Sequence, residues 1–355
     1  MRELLRIAGM NVYDLLQEHF MSELLQGALA FDAVLGTNYG PRSPGSVFTL
    51  LHRLASAANG KSGGTFELAQ PAGGMGAFSR ALASAARSAG VEVRTGAPVE
   101  NILVRDHRAR GVRLQSGEEI EAGCVISNVD PKSTFLRLLG TEFLDAGFTR
   151  RVSHLRTRGL TAKLHLALGE MPRFSGLAEA AHQGRLLVAP SMDYLERAFN
   201  HSKYGEYSIS PALEITLPSV TDPTLAPRGR HVLSAVVQYA PYELKSGWQS
   251  GRQQLTDRVL EVLERHSPGL RRSVVASELL VPPDLEREFR MTGGHWHHAE
   301  LALDQFFMMR PIAGAAQYET PVPDLYLCGA GCHPGGGVLG TAGRNAARRV
   351  LGRAA

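Results

Sequence analysis

The chain has 355 residues, 44% of them hydrophobic and 20% charged, with a formal net charge of +4 at neutral pH. That length buries a substantial core, in two domains or in one discontinuous domain. Lysine occurs only at 61, 132, 163, 203 and 245, and no basic block interleaved with aromatics appears, which argues against nucleic acid as a partner.

Residues 2–35 carry apolar side chains at helical spacing: Leu4, Leu5, Ile7 and Ala8, then Val12, Leu15 and Leu16, then Leu24, Leu25 and Ala28. Glu3, Asp14, Glu18 and His19 lie among them, so the pattern predicts amphipathic helices rather than a leader. Such helices pack on a body or a partner. Peripheral membrane contact is a further reading, though no lysine-rich face supports it, and no apolar run reaches the roughly 18 residues of a membrane span. Pro41 and Pro44 break the pattern before a helix over 46–58.

Pro71 to Gly76, PAGGMG, precedes a predicted helix over 77–88, and GVEVRTG at 90–96 alternates as a strand does. Residues 113–120 read as a hairpin turning at Ser116-Gly117. A strand from Cys124 to Ser127 closes this block. Between 134 and 311 the pattern predicts strands at 162–168, 186–188, 212–217 and 231–239. Leu255, Val259, Val262 and Leu263 recur on a helix over 251–264. These elements describe a mixed sheet with a helical cap.

Gly293 to His298, GGHWHH, places His295 and His297 on one face of an extended segment. No carboxylate or cysteine stands at ligand spacing, so no metal is expected. Three cysteines, Cys124, Cys328 and Cys332, make neither a disulfide framework nor a zinc spacing, and predict a reducing, cytoplasmic setting.

The chain closes with a short apolar strand over 325–328, six glycines in the twelve residues 329–340, and a helix carrying Ala342, Ala346, Ala347, Val350 and Leu351 on one face. Glycine lets backbone approach a ligand and take positive φ, and a helix N-terminus offers unpaired N–H groups. Such a segment suits a phosphate or an anionic ring; a structural glycine turn is the alternative. Gly335, Gly337 and Gly340 spell G-x-G-x-x-G, but Pro334 separates them from the strand and no acidic residue follows about 20 positions on.

Two stretches carry a resemblance: GGMGAFSRALASAARSAGVEVRTGAPVENILV, and GGHWHHAELALDQFFMMRP together with LYLCGAGCHPGGGVLGTAGRNAA. They resemble flavin-dependent oxidoreductases of the phytoene desaturase type, within it the pyridine nucleotide-disulfide oxidoreductase domain-containing protein 2 branch. The resemblance implies an α/β chain of α+β mixed content, namely an incomplete FAD-binding dinucleotide fold with an inserted substrate domain of mixed sheet and helices. The implied segments are 1–68 (helical part of the substrate domain), 69–131 (FAD-binding), 132–311 (substrate domain) and 312–355 (C-terminal FAD-binding).

FAD is the implied cofactor, taking a hydride at N5 from a small apolar or amphipathic substrate. Val99 would bond the adenine through its backbone. Gly329, Ala330 and Gly331 would face the phosphates, and Gly336, Gly337 and Val338 would lie near the ring. His295, Trp296 and His297 would shape the substrate cavity, braced by Gln305 and Arg310. The family's first βαβ unit, with its own G-x-G-x-x-G turn and acidic residue, has no counterpart in the sequence. The expectation is therefore a fragment, a truncated frame, or half of an enzyme completed by an N-terminal chain, with a homo-oligomer as a separate expectation. A non-catalytic scaffold is the alternative. Without that unit, strands near Val93 and Leu327 would lack intervening partners.

Overall fold

The computed structural model describes residues 2–58, 70–338 and 340–352. In chain order the helices are α1 (Arg2–Gly9), α2 (Val12–His19), α3 (Glu23–Val34), α4 (Ser46–Ala58), α5 (Gly74–Ser88), α6 (Ala146–Ser153), α7 (Met192–Ser202), α8 (Pro218–Thr221), α9 (Trp248–His266), α10 (Leu270–Ser273), α11 (Pro282–Phe289) and α12 (Thr341–Val350). The strands are β1 (Val99–Arg105), β2 (Arg108–Leu114), β3 (Glu119–Glu121), β4 (Val125–Ser127), β5 (Thr161–Leu168), β6 (Leu186–Val188), β7 (Ala212–Thr216), β8 (His231–Gln238), β9 (Val274–Leu280) and β10 (Leu325–Leu327). None of the described helices is long and apolar enough to cross a membrane.

Two compact units share the chain. Residues 1–93 and 160–282 form the first, built on a five-stranded sheet in the order β6-β7-β8-β5-β9 with every pairing antiparallel. Strand alternation sends Ala162, Leu164, Leu166 and Leu168 of β5 to one face, where they join Leu255, Val259, Leu260 and Leu263 of α9 in the core. Each of the leucines and the valine among them, fully buried, contributes about 1.5–3 kcal/mol. Lys163 and His165 fall on the opposite face by the same alternation. Gln238, buried at the end of β8, donates to Val34 O at 2.8 Å and accepts from Gly36 N at 3.2 Å, fastening the segment after α3 to the sheet.

Residues 94–159 and 283–355 form the second unit. The hairpin β1-β2 and strand β3 make an antiparallel sheet, while β10 runs parallel to β4 with Leu325 opposite Val125 and Leu327 opposite Ser127. Phe135 and Phe148, edge to face at 4.9 Å, pack with Leu325, Leu327, Cys332, Ala342 and Ala346 in its core.

The structure departs from the sequence-based expectation in three places. Residues 91–94 form no strand, and Val91 and Val93 stay exposed, since no strand among the described residues offers them a ladder. The strand at 325–327 does have a neighbour, because β4 pairs with it directly. Strand β9 was not foreseen: as a half-exposed edge strand its residues VVASELL do not alternate in polarity.

The units divide at 93/94, 159/160 and 282/283, where the expected segment limits were 68/69, 131/132 and 311/312. The start of α5 belongs to the first unit because Gln70 Nε2 donates to Pro218 O at 3.1 Å and Gly73 N to Asp222 Oδ2 at 2.6 Å. Residues 133–153 belong to the second because Phe135, Phe148 and Val152 fill its core.

Candidate functional site

In the second unit two strand-to-turn junctions lie side by side. β4 leads into Asn128–Pro131 and β10 into Gly329–Gly331, with Cys328 N donating to Ser127 O at 2.9 Å. A Cβ on Gly329 would meet Asn128 O at 2.6 Å, and one on Gly331 would meet Pro131 Cδ at 2.8 Å. Close packing of the two turns is thus sufficient reason for both glycines. Gly336 comes down on the same layer, where a Cβ would meet His297 Nδ1 at 3.2 Å and Ala330 Cβ at 3.3 Å.

Arg310 holds this layer together from inside. It is 0% exposed, and its Nη2 donates to His297 O at 2.6 Å and Ala330 O at 2.9 Å. Nη1 donates to Glu300 O and Gln305 O, each at 3.3 Å, and Nη2 also reaches Ala299 O at 3.5 Å. Burial lowers its pKa to about 10, which leaves it charged at neutral pH. Gln305 extends the brace by accepting from Arg156 N at 2.8 Å and donating to Glu300 O at 3.2 Å.

The histidine segment packs on that layer. His295 is 2% exposed, and its Nδ1 faces the His297 N–H at 3.2 Å. Burial, then the Arg310 charge, pushes its pKa down to about 3, so the ring is neutral and acts as an acceptor. His298 also has a lowered pKa through burial, and its Nδ1 is buried without a partner. Trp296 and His297 are half-buried, edge to face at 6.0 Å. Asp130 Oδ1 accepts from Ser133 N at 3.0 Å and Oδ2 from Thr292 Oγ1 at 2.8 Å, tying the β4 turn to the start of the histidine segment.

The outer end of the glycine run is open. Gly335 and Gly337 have φ of 111° and 110°, and Val338 takes φ 62° while 66% exposed. A β-branched residue in the left-handed region is an outlier, a form of strain that concentrates at ligand sites. Gly340 caps α12 without a side-chain hydrogen bond, so no capping side chain occupies the first-turn N–H groups. Behind them Tyr318 OH donates to His333 O at 2.8 Å and accepts from Asn345 Nδ2 at 2.8 Å, fixing the turn to α12.

Of the residues proposed from sequence, Ala330, Gly331, Gly336, His295 and His297 come together, Gly329 adjoins them, and Gly337 and Val338 form the exposed rim. Val99 stands at the start of β1, opposite Leu114, and packs against the core that also holds Leu327, Cys332 and Ala342. An open surface depression lined by Arg94, Gly96, Pro98, Gln115 and Glu118 adjoins it. Cys332 is buried with its pKa raised to about 12 by burial, which makes its thiol inert. No group of three His, Cys, Asp or Glu among the described residues is placed to hold a metal ion.

Sequence reasoning missed Asp130 and, in the first unit, Lys163. Lys163 sits mid-strand with Val236 opposite it and Glu214 opposite Val236 on the far side. Glu214 is already engaged by Arg185 Nε and Arg53 Nη2, and burial lowers the Lys163 pKa. A lysine interrupting the apolar run of β5 was the available signal.

A family model for flavin containing amine oxidoreductases matches residues 13–351. Pyridine nucleotide-disulfide oxidoreductase domain-containing protein 2 of Mus musculus is 41% identical over 348 residues, which are 95% of this chain and 59% of that protein. The lycopene-forming phytoene desaturase of Pseudescherichia vulneris is 28% identical over 342 residues, 94% of this chain and 64% of that enzyme. Among solved structures, an oxidoreductase from Methanosarcina mazei superposes with a TM-score of 0.63 at 19% identity, covering 98% of this chain and 69% of that one. A triple mutant of putrescine oxidase gives a TM-score of 0.64 at 18% identity, with the same coverage. These two show the fold. The chain spans less than two thirds of the length of the curated relatives it matches, 59% and 64% in the two cases above.

Proposed function

The chain belongs to the flavin containing amine oxidoreductase family, and we propose that it forms the substrate-binding sheet and the C-terminal part of the FAD site of an FAD-dependent oxidoreductase. The observation that carries this is the glycine layer stapled by Arg310 and ending at an α12 N-terminus that no side chain caps. Backbone N–H groups of the run after β10 and of the first turn of α12 would hold the anionic parts of the cofactor. Val99 would hold its adenine. The fit is supported by the exposed, strained Val338 at the rim of the run.

FAD, when bound, supplies hydride acceptance at N5 from an apolar or amphipathic substrate. The chain's own contribution is orientation and electrostatics. Trp296 and His297, edge to face, would present an aromatic wall. Lys163, its charged form disfavoured by burial, would hold or release a proton on the face of the sheet opposite α9.

One observation favours a second reading, a binding module that needs a further polypeptide to supply the rest of the FAD-binding unit. Helix α5 buries none of its residues and leaves Met75, Phe78 and Leu82 exposed. The visible absorption spectrum separates the two readings. Flavin bands that survive desalting after incubation with FAD are expected of the first, and a colourless chain that gains them only with the added unit is expected of the second.

A further inference from the structure

Arg310 is a buried cation, set over the Phe306 ring at 5.9 Å, that no anion among the described residues neutralises. Its guanidinium donates to the carbonyls of His297, Ala299, Glu300, Gln305 and Ala330, its Nε has no acceptor, and among the described residues no carboxylate pairs with it. Its titratable neighbours do not supply the missing charge. Burial, and then Arg310 itself, lowers the pKa of His295 and His333; at His298 burial and Arg310 lower it against the nearby Asp130, and the Cys332 thiol is held protonated by burial.

An unpaired buried charge is costly, and a structural brace does not require one. A residue that merely tied loops together would be served by neutral donors. The cation also acts on the turn: by donating to Ala330 O it polarises the peptide unit whose N–H belongs to Gly331, making that N–H a stronger donor to an anion.

We propose that Arg310 is a positioning residue whose uncompensated charge tunes the turn after β10 for an anion, favouring pyrophosphate and the reduced, anionic form of a flavin over the neutral oxidised ring. The flavin half of this rests on the FAD reading above; the pyrophosphate half does not. No contact between Arg310 and the ligand is needed, since its hydrogen bonds end on the backbone that would make the contact.

The test compares the unmodified chain with Arg310→Met, which removes the charge, and Arg310→Lys, which keeps the charge and loses the fork. Each is titrated with inorganic pyrophosphate by calorimetry, and bound FAD is titrated to its midpoint potential. Arg310→Met is expected to bind pyrophosphate about tenfold more weakly. It is also expected to hold reduced relative to oxidised flavin about tenfold less tightly, a drop of about 30 mV for two electrons. Arg310→Lys is expected to stay near the unmodified values in both.

Equal lowering in the two variants would mean that the fork matters and the charge does not, and would overturn the proposal, as would an unchanged Arg310→Met. Should Arg310→Met fail to fold, Arg310→Lys decides alone: a potential and a pyrophosphate affinity within threefold of the unmodified chain support the proposal, and a tenfold loss sinks it. A chain that binds pyrophosphate but retains no flavin refutes the FAD reading while the pyrophosphate comparison still decides this one. No pyrophosphate binding by the unmodified chain overturns the proposal outright.

Discussion

Gly329 and Gly343 lie fourteen residues apart in one strand-turn-helix segment, and alanine at each is expected to move stability in opposite directions. A Cβ at 329 would stand 2.6 Å from Asn128 O, about 0.8 Å short of ordinary van der Waals contact with a backbone atom that cannot rotate away. Relief requires the β4 and β10 turns to part, weakening the Cys328 N to Ser127 O bond of 2.9 Å that closes the parallel pair. Overpacking of this kind costs about 1–3 kcal/mol. At 343, inside α12, an added Cβ meets no atom within 4 Å, so alanine gains about 0.5–1 kcal/mol from helix propensity. Urea unfolding reports the difference when Trp248 is replaced by Phe, which leaves Trp296 as the fluorophore of the second unit. Gly329→Ala should lower the midpoint and weaken FAD binding in parallel, and Gly343→Ala should raise the midpoint. A Gly329→Ala chain as stable as its parent would refute the view that this glycine is demanded by the packing of two turns.

Two further outcomes follow from the buried charges. His295 has a folded pKa of about 3 against an ordinary 6.5, so below pH 6.5 the unfolded chain binds the proton that the folded chain refuses. Its contribution to stability is therefore intact above about 6.5 and is lost at up to about 1.4 kcal/mol per pH unit as pH falls toward 3. Unfolding curves at pH 7 and pH 5 should show a smaller acid loss for His295→Gln than for the parent, and equal losses would contradict the burial account. Lys163→Met removes a cation whose charged form burial disfavours, so below the ordinary lysine pKa the first unit should gain about 0.5–2 kcal/mol while turnover of any accepted substrate falls. A variant that is both more stable and fully active would remove Lys163 from the site.

Much of the chain was legible because hydrophobic period reports local structure directly. The helix over 46–58, the strands at 186–188 and near 162–168, and the closing strand, glycine run and helix all follow from spacing, since each buries one face against a core. Residues 91–94 show the limit of that signal. Val91 and Val93 alternate as a strand does, yet a strand also needs a neighbour, and spacing along the chain carries no information about what lies beside it.

The sequence alone determined that 329–340 would be a glycine-rich turn between a strand and a helix, because six glycines in twelve residues break any regular element. Only the tertiary structure decided what those features do. It shows that Gly329 and Gly331 face Asn128 and Pro131, and that an arginine 20 residues before Ala330 supports that residue's carbonyl from within. It also shows that His295 is turned inward as a neutral acceptor. These outcomes depend on which segments meet across long sequence separations. Burial, and with it the strength of every charge and hydrogen bond in the site, is set by those meetings.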